Sequence, residues 1–256
     1  MSSDSWKTIF EAYHILDHDF DKSPFIIEAS KIKIATKHFD EVKDREVRIL
    51  CKHDTREDRP DIFVENELFL LPIRNGKYTK YAIIRGEGYV DIPAIGATTS
   101  TYKSKLDFQP DTSLVGDSEM QHLDLAYATS LVRTFMQDES LILTIRGRKS
   151  TPQFSFRVGI HEIVAESVQT EVDGGYEGKK QVVLVEAKNS QTTNVIIRQL
   201  FYPFRQWQEH TEKSVKTLFF EKRGNLYSLW QFMFDDPKNY NSIKLERSQC
   251  FEIVWQ

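Results

Sequence analysis

Cysteine is scarce in this chain of 256 residues, which holds only Cys51 and Cys250. They lie far apart and form no metal-binding spacing. That excludes a thiolate metal cluster and a disulfide framework, and reduced thiols are expected. Long apolar runs are missing as well. None approaches the length of a membrane span, so no membrane partner is expected. The opening Met1-Ser-Ser-Asp-Ser-Trp6 lacks the basic-then-apolar order of a secretory signal. No internal repeat or low-complexity segment is visible. Charge excess is also small: a net charge of −4 argues nothing by itself about nucleic acid.

The distribution of charge says more. Acids outnumber bases in the first half of the chain, and bases slightly outnumber acids in the second. Arg146 to His161 contains four Lys or Arg and no acid; Ala187 to Gln208 contains three and no acid. A polyanion is held by local patches of this kind, not by overall charge. Scattered basic residues on a solvated surface are the alternative.

Taken in order, residues 1–95 read as a small mixed α/β unit. An amphipathic helix is predicted over 5–20, a strand over Glu46 to Cys51, and a short helix starting at Pro60. The apolar runs Leu68 to Ile73 and Lys80 to Arg85 flank Asn75-Gly76, a strong hairpin signal. This unit could recognise DNA, form a dimer, or be a structural extension. Residues 96–116 lack periodicity and are rich in Gly, Thr, Ser, Asp and Pro, which predicts a linker. Asp117-Ser118 then caps a largely buried helix from Glu119 to about Met136. Glu119 is either a first-turn acid favoured by the helix dipole or a third acid for a metal site. Arg146-Gly-Arg-Lys149 is predicted to lie in a loop, where Arg and Lys could meet phosphates or guanine edges; an exposed basic turn is the alternative. A helix is predicted over roughly Thr193 to His210.

The chain is organised around Val168 to Lys188, two strands and a tight turn. Side chains alternate along a strand, so Val182, Leu184, Glu186 and Lys188 share a face. A Glu and a Lys therefore emerge together from a very apolar strand. Burying either charge alone is costly, and a divalent cation is the natural compensation. Asp173, on the preceding strand, is positioned to supply a second carboxylate. The acid-x-Lys pattern by itself is weak and occurs four times, but only Glu186-Ala-Lys188 ends an apolar strand and follows an Asp-bearing one. A surface hairpin with a charged rim is the bland alternative. The geometry sets a condition. A regular hairpin centred near Gly178 would place Asp173 opposite Val183, so the strands must diverge or bulge, and Gly174-Gly175 is the expected bulge.

Asp173 followed by Glu186-Ala-Lys188 resembles the metal site of the PD-(D/E)XK nucleases. The wording Glu171-Val-Asp173-Gly-Gly-Tyr-Glu177, then Val185-Glu186-Ala-Lys188-Asn189, is similar to type II restriction endonucleases. Val172 stands where those enzymes usually carry proline. The resemblance covers about residues 117–207. It implies an α/β fold with a restriction-endonuclease-like core, a central mixed β-sheet flanked by helices over 117–256, beside the N-terminal mixed α/β subdomain. It implies Mg²⁺, with Mn²⁺ as substitute, held by Asp173, Glu186, the Ala187 carbonyl and, as a fourth candidate, Glu119. Asp173, Glu186 and Lys188 would be catalytic, with the Lys188 pKa depressed by metal and apolar wall. Candidate DNA contacts are Arg146, Arg148, Lys149, Asn189 and Arg198. The expected partners are double-stranded DNA, a second copy of the chain as a homodimer, and a cognate DNA methyltransferase, in a bacterial or archaeal cytoplasm. A repair or structure-specific nuclease of the same fold, or a DNA-binding protein with an inactive site, are the alternatives.

Overall fold

The structure is a computed structural model and describes residues 3–96 and 99–255. The N-terminal part holds α1 (Ser3–Ala12), β1 (Phe25–Glu28), α2 (Ala29–Thr36), α3 (Val42–Arg45), α4 (Val47–Leu50), α5 (Asp61–Glu65), β2 (Leu68–Arg74) and β3 (Lys80–Arg85). Its three strands pair antiparallel in the order β1-β3-β2. Alternation along β2 and β3 gives this sheet two apolar faces. Leu68, Leu70 and Ile83 join Trp6, Phe10 and Phe63 beneath the helices. Phe69, Leu71, Ala82 and Ile84 face the rest of the chain and enter its largest core. The Asn75-Gly76 hairpin is present, with Gly76 at a φ of 90°. The strand predicted at Glu46 to Cys51 is instead the single turn α4.

The next elements are β4 (Tyr89–Asp91), β5 (Ser100–Lys103), α6 (Glu119–Ala128), α7 (Leu131–Met136), β6 (Ile142–Ser150), β7 (Phe154–Val158), β8 (His161–Ala165), β9 (Gln169–Glu177) and β10 (Gln181–Lys188). After them come β11 (Asn194–Ile196), α8 (Arg198–Gln208), β12 (Ser214–Arg223), β13 (Leu226–Phe234) and β14 (Ile243–Val254). Seven strands form one mixed sheet in the order β5-β14-β13-β12-β10-β9-β6. The β10–β12 and β14–β5 pairs are parallel and the others antiparallel. The segment expected as a linker thus contributes β5, an edge strand of the main sheet, while residues 97–98 of it lie outside the described residues.

Parallel neighbours need a crossover, and β11 and α8 supply it between β10 and β12. One face of the sheet packs on α8 through Val182, Leu184 and Phe219. The other packs on α6 and α7 through Val183, Val185, Leu218 and Phe220. Burying each such side chain contributes roughly 1.5–3 kcal/mol. The helix predicted to run unbroken to Met136 is broken at Ser130, whose φ of 66° separates α6 from α7. The fold is therefore a mixed α/β architecture, a large mixed sheet flanked by helices. No helix among the described residues is long and apolar enough to cross a membrane.

Candidate active site

The site is built at the carboxyl end of β10. The hairpin turn falls at Lys179-Lys180, one and a half residues later than a turn centred on Gly178, with the Gly178 amide donating to the Gln181 carbonyl at 2.8 Å. That shift sets Val185 opposite Gly174, and the ladder ends there. Asp173 therefore falls beside Glu186 rather than Val183. In place of a further main-chain bond, the Asp173 carboxylate reaches across: the Ala187 amide donates to its Oδ2 at 2.7 Å. The expected irregularity at the glycine pair exists, but against β6 instead of β10. Ile145 pairs with Gly175 and Gly147 with Val172, so β9 carries one extra residue between them. The extra residue changes which face each side chain takes. Val172 points into the core under α8 and Asp173 turns to the cleft.

Glu186 is 9 % exposed, and Lys188 donates to its Oε1 at 2.6 Å. Burial, reinforced by the negative charge of Asp173, pushes Glu186 up to about 7. Burial also raises Asp173, against the opposing pull of the Ala187 amide and Lys188. Burial alone would lower Lys188, but Glu186, Glu119 and Asp173 outweigh it and hold the ammonium above its ordinary value. The depressed pKa expected for Lys188 is thus corrected: three carboxylates face it, and they favour the charged form.

These three residues open into a cleft of about 500 Å³. Glu119 lines it from the first turn of α6, where Ser118 caps the helix by accepting from the Gln121 amide at 3.1 Å. Arg148 and Arg198 line it too, each facing a carboxylate: Glu171 at 3.1 Å and Asp54 at 3.5 Å. The other three candidate DNA contacts are placed elsewhere. Arg146 forms an ion pair with Asp124 and donates to the Asp173 carbonyl at 3.1 Å, so it clasps α6 to β9. Lys149 lies 5.9 Å from the centre of the Trp207 ring, and Asn189 donates to the Asp117 carbonyl at 2.7 Å. The predicted basic loop is the end of β6, paired with β9 through Ser150, which is why its side chains diverge to different faces.

Sequence reasoning missed Arg48, Lys52 and Asp54, which form the opposite wall. Nothing local marks them, because only the docking of the N-terminal sheet brings them near. Gln199 also lines the cleft, with Oε1 buried and without a partner among the described residues, as is the Arg198 Nε beside it.

The donor set suits a hard divalent cation. Two carboxylates raised by burial gain most from a neighbouring positive charge. The Ala187 carbonyl shares its strand edge, since a strand residue directs its amide and carbonyl to the same neighbour. No group of three His, Cys, Asp or Glu able to hold a metal occurs among the described residues. Glu119 therefore lines the cleft without completing a three-acid set. Mg²⁺ commonly takes one or two carboxylates and keeps several waters, so a pair is enough. A second cavity, about 580 Å³, lies between the β7–β8 hairpin and the end of α8. Its charges neutralise one another, Arg157 with Asp236 and Arg205 with Glu209.

A family model described as Domain of unknown function (DUF6997) matches residues 84–252. The chain belongs to that family. A second model, Domain of unknown function (DUF6996), matches residues 3–79. Neither a curated protein nor a solved structure matches the chain. In this DUF6997 member, Asp173, Glu186 and Lys188 all come from the matched segment, whereas Arg48, Lys52 and Asp54 come from the DUF6996 segment.

Proposed function

We propose that the protein is a type II restriction endonuclease, hydrolysing phosphodiester bonds of double-stranded DNA at a specific sequence with Mg²⁺. One observation carries the reading: Asp173, Glu186 and Lys188 meet in a charged cleft, with Asp173 anchored to the Ala187 amide. The sheet of mixed strands between α6 and α8 is compatible with the restriction-endonuclease-like core that the sequence motif suggests. The start of α8 also opens on the cleft, and a helix N-terminus favours an anionic phosphate.

Asp173, Glu186 and the Ala187 carbonyl would hold the ion. When bound, it supplies Lewis-acid polarisation of a phosphate oxygen and a lower pKa for water. The protein's part is positioning and charge. Lys188, fixed by its bond to Glu186, orients the attacking water and steadies charge on the phosphate. Arg148 and Arg198 bind the backbone on either side. By analogy with the resembled enzymes, a homodimer would present two such clefts to a palindrome.

The test is plasmid cleavage in Mg²⁺ by wild type, Glu186→Ala and Lys188→Ala. Discrete fragments from wild type alone support the reading. Equal activity of all three overturns the site. Cutting confined to branches or mismatches replaces it with a repair nuclease, and retained DNA binding without cleavage in Mg²⁺ or Mn²⁺ replaces it with a binding protein.

A further inference from the structure

We propose that the N-terminal unit is a working wall of the cleft. Through Arg48 and Lys52 it grips the phosphate backbone of duplex DNA against Asp173, Glu186 and Lys188. The proposal rests on the nuclease reading for the identity of the polyanion.

Position comes first. Arg48, in α4, and Lys52, just after it, line the same cleft as the three candidate catalytic residues. Their wall is fastened in place. The Ile196 amide donates to the Asp54 carbonyl at 2.9 Å. The Arg56 amide donates to Asn194 Oδ1 at 2.7 Å, and Asn194 Nδ2 donates to Glu57 Oε2 at 2.9 Å. Tyr89 donates its hydroxyl hydrogen to the His53 carbonyl at 3.2 Å. Residues 53–57 are thus tied to β4, β11 and the approach to α8, directly after the strand that carries Glu186 and Lys188.

Availability comes next. The Arg48 and Lys52 side chains are 89 % and 71 % exposed. Each faces one carboxylate at 3.6 Å, Glu46 and Asp54 respectively. Exposed pairs of this kind contribute about 0–1 kcal/mol, so a phosphate can displace them.

Charge decides the case. Five bases line the cleft, Arg48, Lys52, Arg148, Lys188 and Arg198, against five carboxylates. Formally it is neutral. A divalent cation held by Asp173 and Glu186 would then make it net positive. Without Arg48 and Lys52, three bases face the same five carboxylates, which is net negative alone and only neutral with the cation. These two side chains therefore supply the excess positive charge that DNA meets.

The experiment is binding of a fluorescein-labelled duplex in Ca²⁺, followed by anisotropy across a salt titration, beside plasmid cleavage in Mg²⁺. The proteins are wild type, Arg48→Ala/Lys52→Ala, the reversal Arg48→Glu/Lys52→Glu, and a control, Lys33→Ala/Lys37→Ala, exposed on and just after α2 of the same unit and outside the cleft. We expect the alanine pair to weaken binding by about tenfold and to reduce the slope of log affinity against log salt by about 2. The reversal weakens it further, and the control matches wild type. Circular dichroism checks that the variants fold, as their exposure predicts. Unchanged affinity and slope in both cleft variants overturn the proposal even where wild type cleaves. Wild type that binds duplex through Arg48 and Lys52 but never cleaves overturns the nuclease reading alone. Wild type that does not bind duplex overturns both.

Discussion

Asp173 and Ala187 are joined by a bond that the sheet itself does not make. The β9–β10 ladder ends at Gly174 and Val185. One step further, the Asp173 carboxylate takes the Ala187 amide at 2.7 Å. A side chain therefore closes the gap where the strands part, and its other oxygen is left to the cleft beside Glu186.

The charge on Asp173 does not stabilise the fold. Burial raises its pKa, so ionisation costs the folded state free energy. Asp173→Asn keeps an acceptor for the Ala187 amide and removes the charge. We expect its melting temperature to equal or exceed that of wild type, while plasmid cleavage falls by at least about 100-fold. A variant that loses stability and activity in proportion would make Asp173 a structural residue.

The glycine pair is needed for close packing. A Cβ added at Gly175 would lie 2.5 Å from Ile145 Cβ, and one at Gly174 would lie 2.8 Å from Leu123 Cδ2. Gly175→Ala must push β6 away and should cost about 1–3 kcal/mol, read by urea unfolding. Because Asp173 sits two residues away on β9, cleavage should fall by more than the change in folded fraction explains.

Metal binding should depend on pH through Glu186. Its pKa of about 7 means that protons compete with a cation for the carboxylate across the neutral range. Mg²⁺ should raise the melting temperature more at about pH 8 than at about pH 5.5, and chelation should abolish the difference. Glu186→Ala should show no Mg²⁺ effect at either pH. An equal Mg²⁺ shift in wild type and variant would remove Glu186 from the ligand set.

Acid should loosen the N-terminal unit. His53 is buried among Trp6 and Phe63, with ring centres 5.8 Å and 5.1 Å away. Burial lowers its pKa to about 4. A histidine held neutral in the fold and free to charge when unfolded contributes full stability above its unfolded value. Stability is lost as pH falls from about 6.5 to about 4, by up to roughly 3 kcal/mol. His53→Phe cannot take up that proton. The difference in urea-unfolding free energy between the two proteins should change across this interval and stay constant above it.

The sequence alone determined the local parts of this protein. Alternation along Gln181 to Lys188 put Glu186 on the face of Val182 and Leu184, because side chains in a strand take opposite sides in turn. Asn75-Gly76 marked its hairpin, Ser118 its helix cap, and Gly174-Gly175 the place where β9 bulges. Each of these signals depends on residues close together in the chain. What it missed depended on distant ones. The turn at Lys179-Lys180, tied through Ser140 and Asp138 to a preceding segment, fixed the register that brings Asp173 to Glu186. Arg146 was drawn to Asp124 on a helix, and β6 stayed a strand because β9 offered it a partner. Arg48 and Lys52 entered the cleft because the N-terminal sheet buries its second face against β7, β8 and α8. That packing is driven by apolar area, and apolar area alone does not say in the sequence which two surfaces will meet.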